Sequence, residues 1–253
     1  MGSQVVDTES ASEFMRETLE KVSSEELAGV VGLLEQKAAG FARLLGAPGQ
    51  ARTLARQDQR LLLRSIFATR RRADALLEGV GPERLGAGMD DLLHGAGPLP
   101  ERIDAFDILV ADFPDPGFDL PGELLHFTDP DRHWLWTRWM WDPRIETGAL
   151  RLVTVDDFDL TADTRGETYL RVGEAVAFVN ETGKAVGFTS MGPGLFGIDV
   201  FLACVYAVYM YTVLRLRMTQ EFNRIVPELP DLVGRLLGVH RLPGDWGVPG
   251  EGV

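Results

Sequence analysis

The segment from 126 to 142, HFTDPDRHWLWTRWMWD, contains the densest group of side chains that could do chemistry. His126, Asp129, Asp131 and His133 bring two imidazoles and two carboxylates close together in the chain, and such a set can hold a divalent metal ion or act as an acid–base pair. Their spacing matches no metal-site signature, and an Asp-Pro-Asp sequence is also typical of turns. The segment therefore gives one alternative prediction, a metal-dependent or acid–base hydrolase with an unknown cofactor.

The same segment carries four of the five tryptophans, Trp134, Trp136, Trp139 and Trp141. Whether the segment is a strand or a helix, this spacing distributes the indoles over two sides. Buried indoles would contribute to the core, whereas exposed ones would form a stacking surface for bases, sugars or a partner. Core packing on one side and a partner on the other is one interpretation of this spacing, but we favour packing of all four indoles in the core.

A second candidate binding feature is a stripe of arginines. Arg52, Arg56, Arg60 and Arg64 recur every four residues, so they share one face of a long helix that we predict from about 50 to 78. Like charges at this spacing repel each other and need something acidic opposite them. Phosphate or the carboxylates of a partner would serve, but the segment 101–131 has nine acidic residues and one arginine, and we favour this internal partner.

Composition limits the classes of function. The chain of 253 residues has a net charge of −13, which disfavours nonspecific nucleic-acid binding except through a local basic patch. The single cysteine, Cys204, excludes an intrachain disulfide, and the acidic N-terminus does not resemble a signal peptide, so we expect a cytoplasmic protein. The Gly-x-Ser-x-Gly, Walker A, His-Glu-x-x-His and Cys-x-x-Cys motifs are absent.

The elements that must position these residues differ along the chain. Residues 1–97 read as a helical region, with Ser-x-x-Glu capping boxes at Ser10 and Ser23. Residues 98–253 read as a mixed α/β region. Its first part, to residue 143, contains seven of the fourteen prolines, so we expect irregular chain with short elements there.

Further along the second region, two segments carry secondary-structure signals. Residues 149–158 are the best strand candidate, because β-branched residues alternate with others before an acidic turn. Residues 166–183 fit either a helix or a strand, and we favour the helix.

The apolar run from 195 to 214 allows three interpretations: a membrane span, a core helix, or a helix after a nucleotide loop. Gly192, Gly194 and Gly197 form a literal G-x-G-x-x-G, but no second strand with an acidic residue follows. A helix that began with Asp199 as N-cap would have too short an apolar part to cross a bilayer. We therefore predict a central core helix at 199–226 and no membrane insertion.

Together these patterns predict a mainly α-helical (α+β) single globular fold. It has a small mid-chain β element and a long buried C-terminal helix, and the two regions pack as one unit. For function we favour a soluble binding or assembly protein, either a subunit of a larger complex or a homo-oligomer. It would use the tryptophan cluster and the arginine stripe. A nucleic-acid-binding protein that uses the arginine stripe is the other alternative.

Overall fold

The computed structural model describes residues 5–186, 194–217, 228–242 and 246. This part of the chain is mainly helical and forms ten α-helices: α1 (Thr8–Leu19), α2 (Ser24–Leu45), α3 (Arg56–Ser65), α4 (Ala73–Val80), α5 (Pro82–His94), α6 (Leu99–Leu109), α7 (Pro114–Thr128), α8 (Arg165–Val186), α9 (Gly194–Arg217) and α10 (Leu229–Leu236). The prediction of a mainly helical globular fold is confirmed.

The predicted small β element is not supported. Within the described ranges there is no strand, only two isolated bridges that join Val6 to Thr154 and Asp142 to Thr147. The strand candidate at 149–158 contains a 3₁₀ turn instead, Leu150–Leu152. An alternating segment becomes a strand only where a second segment pairs with it, and here the N-terminal chain supplies a single bridge.

Local signals placed several helices correctly. The capping box of α2 is present: Ser23 Oγ accepts a hydrogen bond from the Glu26 amide at 3.2 Å, and the Glu26 carboxylate accepts one from the Ser23 amide at 2.9 Å. The box at Ser10 is not used, because Asp7 caps α1 and accepts bonds from the amides of residues 9 and 10. The helix favoured at 166–183 is confirmed as α8.

The long helix expected from 50 to 78 is broken into a 3₁₀ turn at Ala51–Thr53 and the helices α3 and α4. Ile66 has an extended backbone after α3, and a turn follows in which the Arg70 amide bonds the Ile66 carbonyl at 3.0 Å. Ile66 is fully buried, so core packing overrides the helical propensity of the flanking arginines and leucines. The turn brings Arg70 and Arg71 out of line with the arginine stripe.

The proline-rich part, 98–143, is more regular than expected. Pro100 lies in the first turn of α6, and Pro114 and Pro116 lie in the first turn of α7, where the missing amide would have no helical partner. Only Pro121 lies inside a helix, and every residue of α7 from 117 to 127 is buried around it. Tertiary packing therefore holds α7 together across its proline.

The apolar helix α9 begins at Gly194, five residues before the predicted start. Asp199 is therefore not an N-cap but a buried residue inside the helix. By length and composition alone Gly194–Val213 could cross a membrane, yet 67% of the most apolar window is buried among other helices, as in a core helix. Residues 218–226 of the predicted helix, and Gly192 of the glycine motif, lie outside the described residues.

Helices from both ends of the chain surround α7 and α9. The helix α2 packs on α7 and α9, α1 packs on α9, and α10 packs on α9 and α2, while α6 lies between α5 and α8. One cluster of buried apolar side chains runs from Val6 to Trp246. This arrangement places the middle of α7 in the centre of the protein.

Candidate functional site

The tryptophans of the 134–141 segment are largely buried. Trp134 stacks on Tyr169 with 4.8 Å between ring centroids, and each side chain donates a hydrogen bond to the other residue's carbonyl, at 2.9 and 3.0 Å. Trp136, Trp139 and Trp141 are 2%, 7% and 4% exposed. A stacking surface needs open indole faces, so we do not place the partner surface on these four residues.

The four residues proposed for chemistry are divided between the core and the surface. His126 is fully buried, whereas Asp131 is exposed. Asp129 caps the end of α7, and its carbonyl accepts the His133 amide at 3.1 Å. In the described ranges no three His, Cys, Asp or Glu side chains are arranged to hold a metal ion.

Asp129 and His133 do meet at a small polar cavity of about 160 Å³, together with Thr128, Arg132 and His94. Burial lowers the pKa of His133 to about 4, although Asp129 opposes this shift, so the imidazole is neutral at pH 7. His133 Nδ1 and Thr128 Oγ1 are buried there without a hydrogen-bond partner among the described residues. The enzyme alternative stays a prediction, limited to Asp129 and His133 because His126 is sealed off in the core.

A line of ionisable groups on α7 was not predicted from the sequence. Asp115, Asp119, Glu123 and His126 follow each other at four-, four- and three-residue steps, so they lie along one side of the helix. Glu123 and His126 are fully buried, and Asp119 is 5% exposed. We call these four residues the α7 charge row. Their helical spacing was visible in the sequence, but the prolines around them argued against a helix.

Each member of the α7 charge row has a partner of opposite charge on another element. The Glu123 carboxylate is 2.6 Å from Lys37 Nζ of α2, and His126 Nε2 is 2.7 Å from Asp199 Oδ2 of α9. Asp119 accepts hydrogen bonds from the backbone amide and the guanidinium of Arg138 at 2.8 and 3.3 Å. Asp115 completes the row at the surface with Arg138 and Arg144.

The buried pairs shift each other's pKa values. Burial raises the pKa of Glu123 and lowers the pKa of Lys37, although each charge favours the other. Burial alone would lower the pKa of His126, but the Asp199 carboxylate and the His133 carbonyl raise it above its usual value. Because that carbonyl can only accept, His126 Nδ1 carries a proton, and Nε2 faces the Asp199 carboxylate at 2.7 Å.

The α7 charge row has the chemistry of a catalytic cluster but lies in the core. Lys37, Glu123, His126 and Asp199 are each at most 1% exposed, and they line none of the cavities described here. Buried charge pairs of this kind tend to fix which elements pack together. We interpret the row as the set of contacts that positions α2, α7 and α9.

Most of the arginine stripe is neutralised within the protein, but by other acids than expected. Arg52 pairs with Asp90, at 2.9 Å, and with Asp91, while Arg56 and Arg60 pair with acids of α4. The expected partner, segment 101–131, instead contacts the cations Lys37, Arg138, Arg144 and Arg165. The stripe therefore faces α4 and α5 because α3 packs there. Arg64 is exposed and has no ion pair among the described residues.

A different set of arginines is left without partners. The turn after α3 and the segment around α10 enclose a groove of about 570 Å³, lined by Phe67, Ala68, Arg70, Arg71, Leu232, Arg235, His240 and Arg241. We call it the arginine groove. The guanidinium groups of Arg70, Arg71 and Arg241 form no ion pair or hydrogen bond within the described part of the chain, whereas Asp231 holds both Arg235 and His240 at 2.8 Å.

Comparisons with protein-family models, with curated proteins and with solved structures gave no match for this chain. The features of the protein that bear on its function are therefore the buried α7 charge row, the small polar cavity at the end of α7 and the arginine groove at the surface.

Proposed function

We propose that the chain is a binding protein that docks an acidic segment of a partner protein in the arginine groove. The observation that carries this proposal is the meeting of three unpaired arginines in a chain of net charge −13. Among 38 acidic residues, three guanidinium groups without a carboxylate partner leave a local positive potential. That potential would attract a carboxylate-rich ligand and speed its encounter with the groove.

The shape and composition of the groove favour a peptide. Its volume lies within the range of about 300–1,000 Å³ that is usual for ligand sites. Phe67 is 51% exposed at its edge, and Leu232 adds a second apolar contact. An acidic segment with one apolar side chain would match both kinds of surface, because guanidinium groups bind carboxylates and apolar side chains bury against Phe67.

The charge of the whole protein disfavours a nucleic acid as the occupant. Duplex binding neutralises a row of phosphates along the backbone, and outside the groove an acidic surface would repel that backbone. A short acidic segment needs only the groove. The expectation of a cytoplasmic protein remains part of this proposal, and the lone, buried Cys204 is its support.

Isothermal titration calorimetry with a synthetic peptide of glutamates around one leucine tests the proposal. We expect saturable binding that weakens as salt rises from about 0.05 to 0.2 M, because exposed charges are then screened. The Arg70→Glu/Arg71→Glu variant should lose at least about tenfold in affinity. The matched control is Arg64→Glu/Arg72→Glu, which changes the net charge equally at exposed arginines outside the groove.

Four results would overturn the proposal. The first is the absence of saturable peptide binding at low salt. The second is an equal loss of affinity in the groove variant and the control variant. The third is tighter binding of a single-stranded or duplex oligonucleotide than of the peptide. The fourth is self-association through the groove in light scattering, which, like the third, would identify a different occupant.

A further inference from the structure

The cleft between α5 and α6 contains a positively charged group without a counter-ion. Arg102 donates a hydrogen bond from one terminal nitrogen to the Leu92 carbonyl at 2.6 Å, and its Nε is buried without any partner. Within the described residues no carboxylate pairs with Arg102, and burial lowers the pKa of its guanidinium. A partly buried guanidinium group with an unused hydrogen-bond donor is unfavourable unless an anion binds to it.

The cleft around Arg102 is otherwise suited to hydrocarbon. It has a volume of about 430 Å³, and its apolar lining comprises Leu92, Phe106 and Leu109 with the small residues Ala87, Gly88 and Ala105. Small residues on both helices leave this space open. At Gly88 a Cβ atom would lie 2.2 Å from Leu109 Cδ2, so a larger residue there would displace the Leu109 side chain that lines the cleft.

Two arginines, Arg84 and Arg102, and two acids, Asp91 and Glu101, line the cleft, so the formal charge of its lining is zero. Arg84 is exposed there and has no ion pair among the described residues. Of the two acids in the lining, Asp91 is already paired with Arg52, and only Glu101 opposes an anion. An apolar ligand with a single carboxylate would satisfy Arg102 and cover the apolar wall.

We propose that the cleft between α5 and α6 binds a small apolar carboxylic acid, with the carboxylate on Arg102 and the hydrocarbon against Leu92, Phe106 and Leu109. This site shares no lining residue with the arginine groove. Its failure would therefore leave the proposed docking of an acidic segment untouched.

Decanoate is a suitable probe, used below the concentration at which it forms micelles. Calorimetric titration should show one saturable site with a negative heat-capacity change, because apolar surface is buried. Decanol, which lacks the charge, should bind at least about tenfold more weakly, since a hydrogen bond between charged groups is lost. Arg102→Gln should produce a loss of the same size.

Variants at exposed positions keep the test independent of folding. Ala105 is exposed and lines the cleft, so Ala105→Leu should fill the space and reduce decanoate binding at least about tenfold. Ala111→Leu, the same change at an exposed position outside the lining, should leave binding unchanged. The absence of saturable binding, equal affinity for decanol, or unaltered binding in Ala105→Leu would each overturn the proposal.

Discussion

Replacing Lys37 with methionine should lower the free energy of unfolding at pH 7 by about 3–5 kcal/mol, because the change leaves the buried Glu123 carboxylate without a cation. Lys37 Nζ and Glu123 Oε2 are 2.6 Å apart, and both side chains are at most 1% exposed. At this distance and an effective dielectric constant of about 20, their attraction is about 6 kcal/mol, which the desolvation of both groups opposes. Lys37 also donates to the Leu237 carbonyl at 2.9 Å, so the variant leaves a second acceptor unpaired.

The measurement is urea unfolding followed by circular dichroism for Lys37→Met, Glu123→Met and the double variant. The free energy of unfolding of the double variant should lie within about 2 kcal/mol of the wild-type value. Two apolar side chains of similar length remove the cost of desolvating both charges as well as the attraction between them. At pH 5 the loss of stability in Lys37→Met should be smaller than at pH 7. Burial raises the pKa of Glu123, so its carboxyl group can take up a proton and no longer needs the Lys37 ammonium to balance a buried charge. A loss of less than about 1 kcal/mol in Lys37→Met would refute this reasoning. A loss in the double variant equal to the sum of the two single losses would also refute it.

The raised pKa of His126 means that the folded state holds its proton more tightly, so the free energy of unfolding should fall as pH rises above about 6.5. His126→Gln/Asp199→Asn should flatten that part of a stability–pH curve, and an unchanged slope would contradict the assignment. Burial raises the pKa of Cys204 to about 12, so Ellman's reagent should react with it only in urea, and rapid native reaction would show the thiol to be accessible. Gly122→Ala should lower stability by about 1–3 kcal/mol, because its Cβ would lie 2.2 Å from the Trp136 carbonyl; a gain, as helix propensity alone predicts, would show that this contact is absent.

Local chemistry was sufficient to predict several helices. The reciprocal bonds of Ser23 and Glu26 begin α2, and the apolar period that follows them faces the core. The favoured helix at 166–183 is likewise confirmed by α8. In each of these segments the helical periodicity agrees with the tertiary environment, so the local sequence is informative.

The α7 charge row could not be found by the same reasoning, because the local and tertiary signals disagree there. Pro116 and Pro121 argue against a helix, and only the packing of α2, α5 and α6 around the segment shows why one forms. Asp199 illustrates the same difficulty. Next to a glycine-rich stretch an Asp is typical of an N-cap, whereas its actual role depends on His126, 73 residues earlier in the chain.

Charge partners were predictable in kind but not in identity. Four arginines at four-residue spacing do require acids nearby, and α4 and α5 supply them to Arg52, Arg56 and Arg60. Which acids pair with these arginines depends on the break between α3 and α4, and no periodicity in the sequence indicated that break. The same break exposes Arg70 and Arg71, so the binding surface now proposed lies directly after the stripe that the sequence favoured.

The most direct test of the proposed docking site compares these two sets of arginines. Affinity for the acidic peptide would be measured in Arg70→Gln/Arg71→Gln and in Arg56→Gln/Arg60→Gln, which remove the same number of positive charges. Because Arg56 and Arg60 already have carboxylate partners, we expect a loss of at least about tenfold in the first variant and nearly wild-type affinity in the second. Equal losses, or a larger loss in the second variant, would contradict the claim that the unpaired arginines of the groove carry binding.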